Sequence, residues 1–167
     1  MQRVEKIIDV NAPLRKVYNQ WTQFEDFPQF MPAVKAVKQI DDTHLHWNAR
    51  FWGGIDQEWD AEITEQEPDV RISWKSISGA TNAGTVRFEP LDADHTRVRL
   101  IMAYDPEGFV ENAGDMLGMF EAQVQQAVTG FKQFIEERRQ ETGAWRGEVH
   151  DSTPEPERLP GTVPRLQ

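Results

Sequence analysis

The residue types most able to do chemistry fall into three groups along this 167-residue chain. His44 and His46 lie two apart in an alternating segment, so both imidazoles point to one side of a strand, where a pair can serve a metal. That side also carries Asn48 and Arg50, so solvated histidines are the simpler reading and no metal site is assigned. Asp56, Glu58, Asp60 and Glu62 form a second group, a row of one sign on a strand exterior. It suits a basic partner, or equally a wet face balanced by Arg50, Arg71 and Lys75 on neighbouring strands. The third group is polar and inward: Gln57, Ser76, Asn82 and Tyr104. Tyr104 is the one weak candidate for proton donation; the strand carboxylates and arginines fall almost entirely on the outward phase. The chain has no cysteine, which removes thiolate nucleophiles, disulfides and cysteine-based zinc sites. There is no Gly-rich phosphate loop, and no cofactor is assigned.

These groups are set among many aromatics, with six Trp and nine Phe. Trp47, Phe51, Trp59, Trp74, Phe88 and Tyr104 occupy the apolar phase of successive strands, and Met102 shares it. Met116, Met119 and Phe120 follow on a helix. A packed core accounts for them; so does the wall of an apolar cavity, because buried indoles bring N–H groups that need partners and Met adapts to irregular shapes. Gly114 and Gly118 sit four apart in that helix, where each costs about 1 kcal/mol against Ala. They read as close packing, a ragged helix start, or a pliable gate working with the loop 105–108.

The elements that position these residues follow from periodicity. A weakly alternating strand spans 3–10. Asn11 is placed to cap a helix with Pro13 in its first turn, running to about Gln23 with Leu14, Val17, Tyr18 and Trp21 on one face. Phe24, Phe27, Phe30 and Met31, broken by Pro28 and Pro32, predict a short second helix or turn. A long antiparallel region follows: strands over 34–40 and 43–52, a glycine turn at Gly53-Gly54, then Gln57, Trp59, Ala61 and Ile63 on one face. Face matching favours a three-residue loop, 53–55, which pairs Phe51 with Gln57 and Arg50 with Glu58. Pro68-Asp69 turns into the strand of Val70, Ile72 and Trp74. Gly84, Val86 and Phe88 mark the next strand, and Val98, Leu100, Met102 and Tyr104 the last. Ala113 to Ile135 then carries one broad apolar stripe at three- and four-residue spacing, a helix over about 110–141. The expected architecture is α+β: a curved antiparallel sheet of six to seven strands wrapped around a long C-terminal helix, with two short helices after the first strand. The domain spans 1–142. Residues 143–167, with Pro154, Pro156, Pro160 and Pro164, read as a disordered Pro-rich tail, in which Trp145 alone could pack back.

Composition narrows the function classes. Asp+Glu 28 against Lys+Arg 18 gives net charge −10, which disfavours nucleic acid and anionic membranes. No stretch is long and apolar enough for a membrane span, and the first residues lack the apolar run of a signal peptide, so a cytoplasmic location is expected.

In order and spacing, several segments resemble one family. They are Val17-Tyr18-x-x-Trp21-Thr22-x-Phe24-Glu25-x-Phe27-Pro28-x-Phe30-Met31, then Glu58-Trp59-x-Ala61-Glu62-Ile63-Thr64-Glu65. Ile72-x-Trp74-x-Ser76, Asn82-Ala83-Gly84-x-Val86-x-Phe88 and Phe131-Lys132 complete the set. Together they resemble the SRPBCC superfamily, which includes START and birch-pollen-allergen-like proteins. More narrowly they resemble its polyketide cyclase/dehydrase or coenzyme Q-binding START family. The resemblance covers about residues 1–140. It implies the helix-grip fold and a cavity for a lipid, an isoprenoid quinone or a polycyclic aromatic, bound by the inward aromatics named above. The first expectation is a small hydrophobic-ligand binding or carrier protein, leaning away from an enzyme. A polyketide-type aromatic cyclase/dehydrase is the alternative. An accessory module with a protein partner is the second alternative.

Overall fold

The computed structural model describes residues 2–52, 55–105 and 113–150, except that for 51, 52, 55 and 113–117 it describes backbone only. Strand β1 (Gln2–Val10) leads into helix α1 (Leu14–Trp21) and a 3₁₀ helix (Phe24–Gln29). Six strands follow: β2 (Val34–Gln39), β3 (His44–Trp52), β4 (Ile55–Glu67), β5 (Arg71–Gly79), β6 (Asn82–Asp92) and β7 (His95–Tyr104). The long helix α2 (Ala113–Arg138) comes last. All pairings are antiparallel, in the order β1-β7-β6-β5-β4-β3-β2. The expected helix-grip architecture is the one observed, with seven strands.

Alternation sorts the sheet faces. Ile72, Val86, Val98 and Leu100 are buried beneath α2, together with Val124, Val128, Phe131 and Ile135 of the helix stripe. The outer face carries ion pairs such as Arg97–Asp9 and Arg99–Glu5. Pro68-Asp69 makes its turn with Asp69 at φ 65 and Val70 N–H donating to the Glu67 carbonyl, the arrangement of a type II turn.

Three local expectations are corrected. Asn11 does not cap α1: no side chain does, and Asn11 instead donates through its backbone N–H and Nδ2 to Glu136 of α2. A tertiary carboxylate outcompeted the local cap. The β3–β4 register is also not the expected one. Ala49 pairs with Gln57 and Asn48 with Glu58, and the ladder shifts between Ala49 and Trp52 so that Trp52 pairs with Ile55. A bulge absorbs the residue that an unbroken ladder would need in the loop. The turn residues 53–54 themselves lie outside the described residues. This register sets Trp47 opposite Trp59, whereas the expected one would have set Trp47 opposite Ala61.

The third concerns the segment after α2. The helix ends three residues earlier than its apolar stripe suggested, with Arg139 at φ 63 and its carbonyl held by Lys16. Residues 141–150, expected mostly as tail, lie along the domain. Thr142 exchanges two hydrogen bonds with Gln20. Arg146 reaches both Asn19 and Asp69 at 2.7 Å and sits 5.3 Å above the Tyr18 ring. Val149 and Gln66 donate backbone N–H groups to each other's carbonyls. Composition missed this strap because polar anchors on another element, not apolar periodicity, hold it. The Pro-rich stretch 151–167 lies outside the described residues.

Candidate functional site

The space between the curved sheet and α2 is filled at one end only. Near the C-terminal half of α2, α1 fills the gap: Tyr18 and Trp21 are almost wholly buried, and Trp21 packs edge-on against Phe131 at 4.8 Å and Phe88 at 6.2 Å. Toward the middle of α2 the gap stays open as a cavity of about 70 Å³. Its floor comes from β3 to β7: Leu45 and Trp47, Trp59 and Ile63, Trp74, Asn82, then Leu100 and Met102. Val124 and Ala127 of α2 cover it, and Trp21, Phe24, Phe27, Met31 and Val34 close the side.

Local sequence explains each wall. Phe24, Phe27 and Phe30 recur every three residues, the period of a 3₁₀ helix, so the three rings line one edge of that short element. Phe27 meets Trp47 at 5.8 Å and Trp21 at 5.5 Å, both edge-to-face. The bulged register lets Trp47 and Trp59 stack in parallel, 5.9 Å between centroids and 3° between planes. Gly84 lets the Trp74 ring lie against β6: a Cβ there would stand 2.3 Å from that ring and 2.9 Å from Met102 Sδ. Gly130 lets α2 approach the 3₁₀ helix, since a Cβ would stand 1.9 Å from the Phe30 carbonyl oxygen.

The polar content of the cavity is small and specific. No side chain among the described lining residues is ionisable. Trp21 Nε1, Trp47 Nε1 and Asn82 Oδ1 are buried with no hydrogen-bond partner among the described residues. The rest of Asn82 is committed: Nδ2 donates to the Ala80 carbonyl and the backbone N–H to Ser76 Oγ.

Of the sequence-predicted contacts, Trp47, Trp59, Trp74 and Met102 line the cavity. Phe88 sits instead in the filled end, 5.3 Å from Tyr18. Tyr104 and Phe120 pack on one another at 4.2 Å, outside the described lining. Burial raises the Tyr104 pKa above its ordinary value, so the phenol holds its proton at neutral pH. Met119 is exposed on α2, and the side chains of Phe51 and Met116 lie outside the described residues. A Cβ at Gly118 would meet nothing within 4 Å among the described residues; the surroundings of Gly114 and the loop 106–108 are outside the described residues. Sequence reasoning missed the wall from α1 and the 3₁₀ helix, although the Phe spacing of three was its signal.

The outward groups are held in separate pairs. His44 contacts Asp41 at 2.9 Å and His46 contacts Asp60 at 2.7 Å. The Asp60 hydrogen bond, with Glu58 adding to it, raises the His46 pKa. Asp56 accepts from Arg50 and Lys35, which together hold its carboxyl near 2. Within the acidic row, Asp56 is thus paired with Arg50 and Lys35, and Asp60 and Glu58 both meet His46.

Fold and cavity define a helix-grip protein of the SRPBCC superfamily, built to take a hydrophobic ligand. The chain belongs to the polyketide cyclase/dehydrase and lipid transport family, whose profile matches residues 10–132. It is 49% identical over 150 residues to an uncharacterised 17.2 kDa protein of Streptomyces lincolnensis from the melC2-rnhH intergenic region, covering 89% of this chain and 99% of that one. Among solved structures, a Deinococcus radiodurans protein is 25% identical with TM-score 0.64, over 82% of this chain and 99% of that one. The Zhui aromatase/cyclase of a Streptomyces species shares the fold at TM-score 0.70 and 17% identity, over 86% of this chain and 99% of that one. A START superfamily protein of Mycobacterium smegmatis does so at 0.70 and 14%, over 81% and 98%. Among the described residues, no helix is long and apolar enough to cross a membrane.

Proposed function

We propose that this protein binds and carries a small, uncharged hydrophobic molecule between the sheet and α2. The observation that supports this reading is a cavity walled by four indoles and lacking any ionisable side chain among its described lining residues. Such a wall binds by shape and apolar burial, at roughly 25 cal/mol per Å² removed from water. Trp47, Trp59, Trp74 and Met102 are the contacts it assigns, with Trp21, Phe24 and Phe27 opposite. An apolar void of ~150 Å³ admits benzene. At about 70 Å³, this cavity must widen for any ring, by rotation of side chains such as Met31 and Met102.

The cyclase/dehydrase alternative draws on the family and on the Zhui aromatase/cyclase fold. In this chain it would use Tyr104, which pairs with Asn82 across β6 and β7 and would have to reach a substrate in the widened cavity. Solvent extraction of freshly purified protein followed by mass spectrometry tests the carrier reading. A stoichiometric neutral lipid, quinone or aromatic is the expected result. An empty extract together with no quenching of Trp fluorescence by any single-ring hydrophobe would overturn it. Turnover of a polyketide-like substrate that is lost in Tyr104→Phe, with binding retained, would replace it with the enzyme.

A further inference from the structure

Arginines on the outer face of the sheet mostly have carboxylates beside them. Arg97 meets Asp9, Arg71 meets Glu65, and Arg99 meets Glu5. Arg87 is the exception. The register sets it directly opposite Arg71 on β5 and directly opposite Arg99 on β7. Like charges opposed in this way destabilise a sheet. The two flanking arginines have carboxylates of their own, whereas the Arg87 guanidinium is exposed and has no partner among the described residues.

Arg87 stands on the rim of an open groove of about 580 Å³ across β4 to β7 and β1. The other charged residues that line it are Lys75 and Arg3, both cations, although Asp+Glu 28 outnumber Lys+Arg 18 in the chain. Lys75 lies opposite Glu62 in the register yet forms no ion pair with it, and Arg3 reaches Glu5 only at 3.8 Å. Short side chains make the floor, among them Ala83 and Ala103, with Ser73 and Thr85 sharing one hydrogen bond at 2.9 Å. Two hydroxyls carry two hydrogens, so one is left for an acceptor lying above the floor. Lys75 and Arg3 occupy one row of the register, joined through Ala83 and Ala103, so they stand about 14 Å apart at three strand spacings. Arg87 is four residues along β6 from that row, about 13 Å.

We propose that this groove docks an acidic, extended segment of a partner protein. Cations so spread match carboxylates distributed along a strand-like chain, in which residues four apart face the same way about 13 Å from one another. A single small anion would not span them. A long polyanion such as nucleic acid would meet the field of a chain of net charge −10. Arg87, which costs the sheet stability where it stands, is then the central recognition residue, with the spare hydroxyl hydrogen of the Ser73–Thr85 pair accepting company from a backbone or side-chain oxygen of the segment.

The test uses the full chain, the fluorescent peptide acetyl-Glu-Ser-Gly-Ser-Glu-Ser-Gly-Ser-Glu, and a counterpart with glutamine for every glutamate. Anisotropy at low ionic strength should show the first binding and the second not, with affinity falling as salt rises. Arg87→Gln should weaken binding about fivefold, and the triple variant Arg3→Gln, Lys75→Gln, Arg87→Gln should abolish it. Lys38→Gln removes the same charge from an exposed position on β2 and should change affinity by less than about twofold. Arg87→Gln should also unfold at or above the native Tm, because it relieves the repulsion from Arg71 and Arg99. A lower Tm would make Arg87 a structural residue and overturn the inference. Equal weakening by Lys38→Gln and Arg87→Gln would overturn it too, leaving net charge alone as the cause. So would displacement of the peptide by equimolar inorganic phosphate, or tighter binding of a single-stranded oligonucleotide than of the peptide. If the peptide binds only once Asp151, Glu155 and Glu157 are changed to their amides, the chain's own acidic segment is the occupant and the partner reading falls. Failure of the glutamate peptide to bind any of these proteins overturns it outright. None of these outcomes bears on the cavity beneath α2.

Discussion

Two ends of one sheet–helix interface are built from the same residue types and end up different. At the Tyr18–Phe88–Phe131 end, α1 fills the space, its rings meet edge-on, and the strap 141–150 ties its outer face down through Thr142, Trp145 and Arg146. At the Trp47–Trp74–Val124 end a void remains, and three polar atoms of its wall lack partners among the described residues. Trp21 belongs to both, packing on Phe131 and lining the cavity. The difference teaches that an aromatic-rich interior is not by itself a core or a site. What decides is whether another element is positioned to plug the gap.

Removing the shared residue should break the contrast most severely. Trp21→Ala deletes a nearly fully buried indole at the junction, and a loss of about 3–5 kcal/mol in folding free energy is expected from urea denaturation. A loss under about 1 kcal/mol would show that the filled end already tolerates a void.

The two glycines of α2 whose environments are described separate the ends next. Gly130→Ala forces a methyl into the Phe30 carbonyl and should cost about 1–3 kcal/mol. Gly118→Ala meets nothing within 4 Å among the described residues and should be neutral or stabilising by up to about 1 kcal/mol. Thermal unfolding of both variants checks the pair. The proposed gate role for Gly118 needs a different readout, namely ligand on- and off-rates that change while stability does not fall.

Gly84→Ala sharpens the comparison from the open side. The added methyl must displace the Trp74 ring or Met102, both of which line the cavity. A fall in single-ring probe affinity of about tenfold is expected, with a smaller stability loss than Gly130→Ala, because flexible or rotatable side chains give way more readily than a carbonyl. Unchanged affinity would place the ligand elsewhere.

The smallest effect is electrostatic and lies outside both ends. His46 has its pKa raised in the folded state by Asp60 and Glu58. Its contribution is therefore full below the unfolded value, about 6.5, and is lost as pH rises through the higher folded value. Native protein should lose a little thermal stability on going from about pH 6 to pH 8 relative to His46→Gln, and less in high salt, because the pair is partly exposed. Identical pH profiles would show the pair to be inert.

Much of this was legible in the chain. Alternation from Thr43 to Tyr104 determined the strands and their faces, since a period of two leaves no other way to bury one side. The three-residue spacing of Phe24, Phe27 and Phe30, the apolar stripe of α2 and the inward phase of Trp47, Trp59, Trp74 and Asn82 were also local properties. Tertiary structure decided the rest. A bulge, invisible to pattern, set Trp47 against Trp59. Glu136 took Asn11 away from its cap, and Asn19, Gln20 and Asp69 drew a polar strap onto the domain where composition suggested disorder. Phe88 and Trp74 have the same phase in sequence, yet one is packed and the other lines a void. Periodicity reports which face a side chain takes; whether space remains above that face depends on where α1 and α2 come to rest, which long-range packing alone determines.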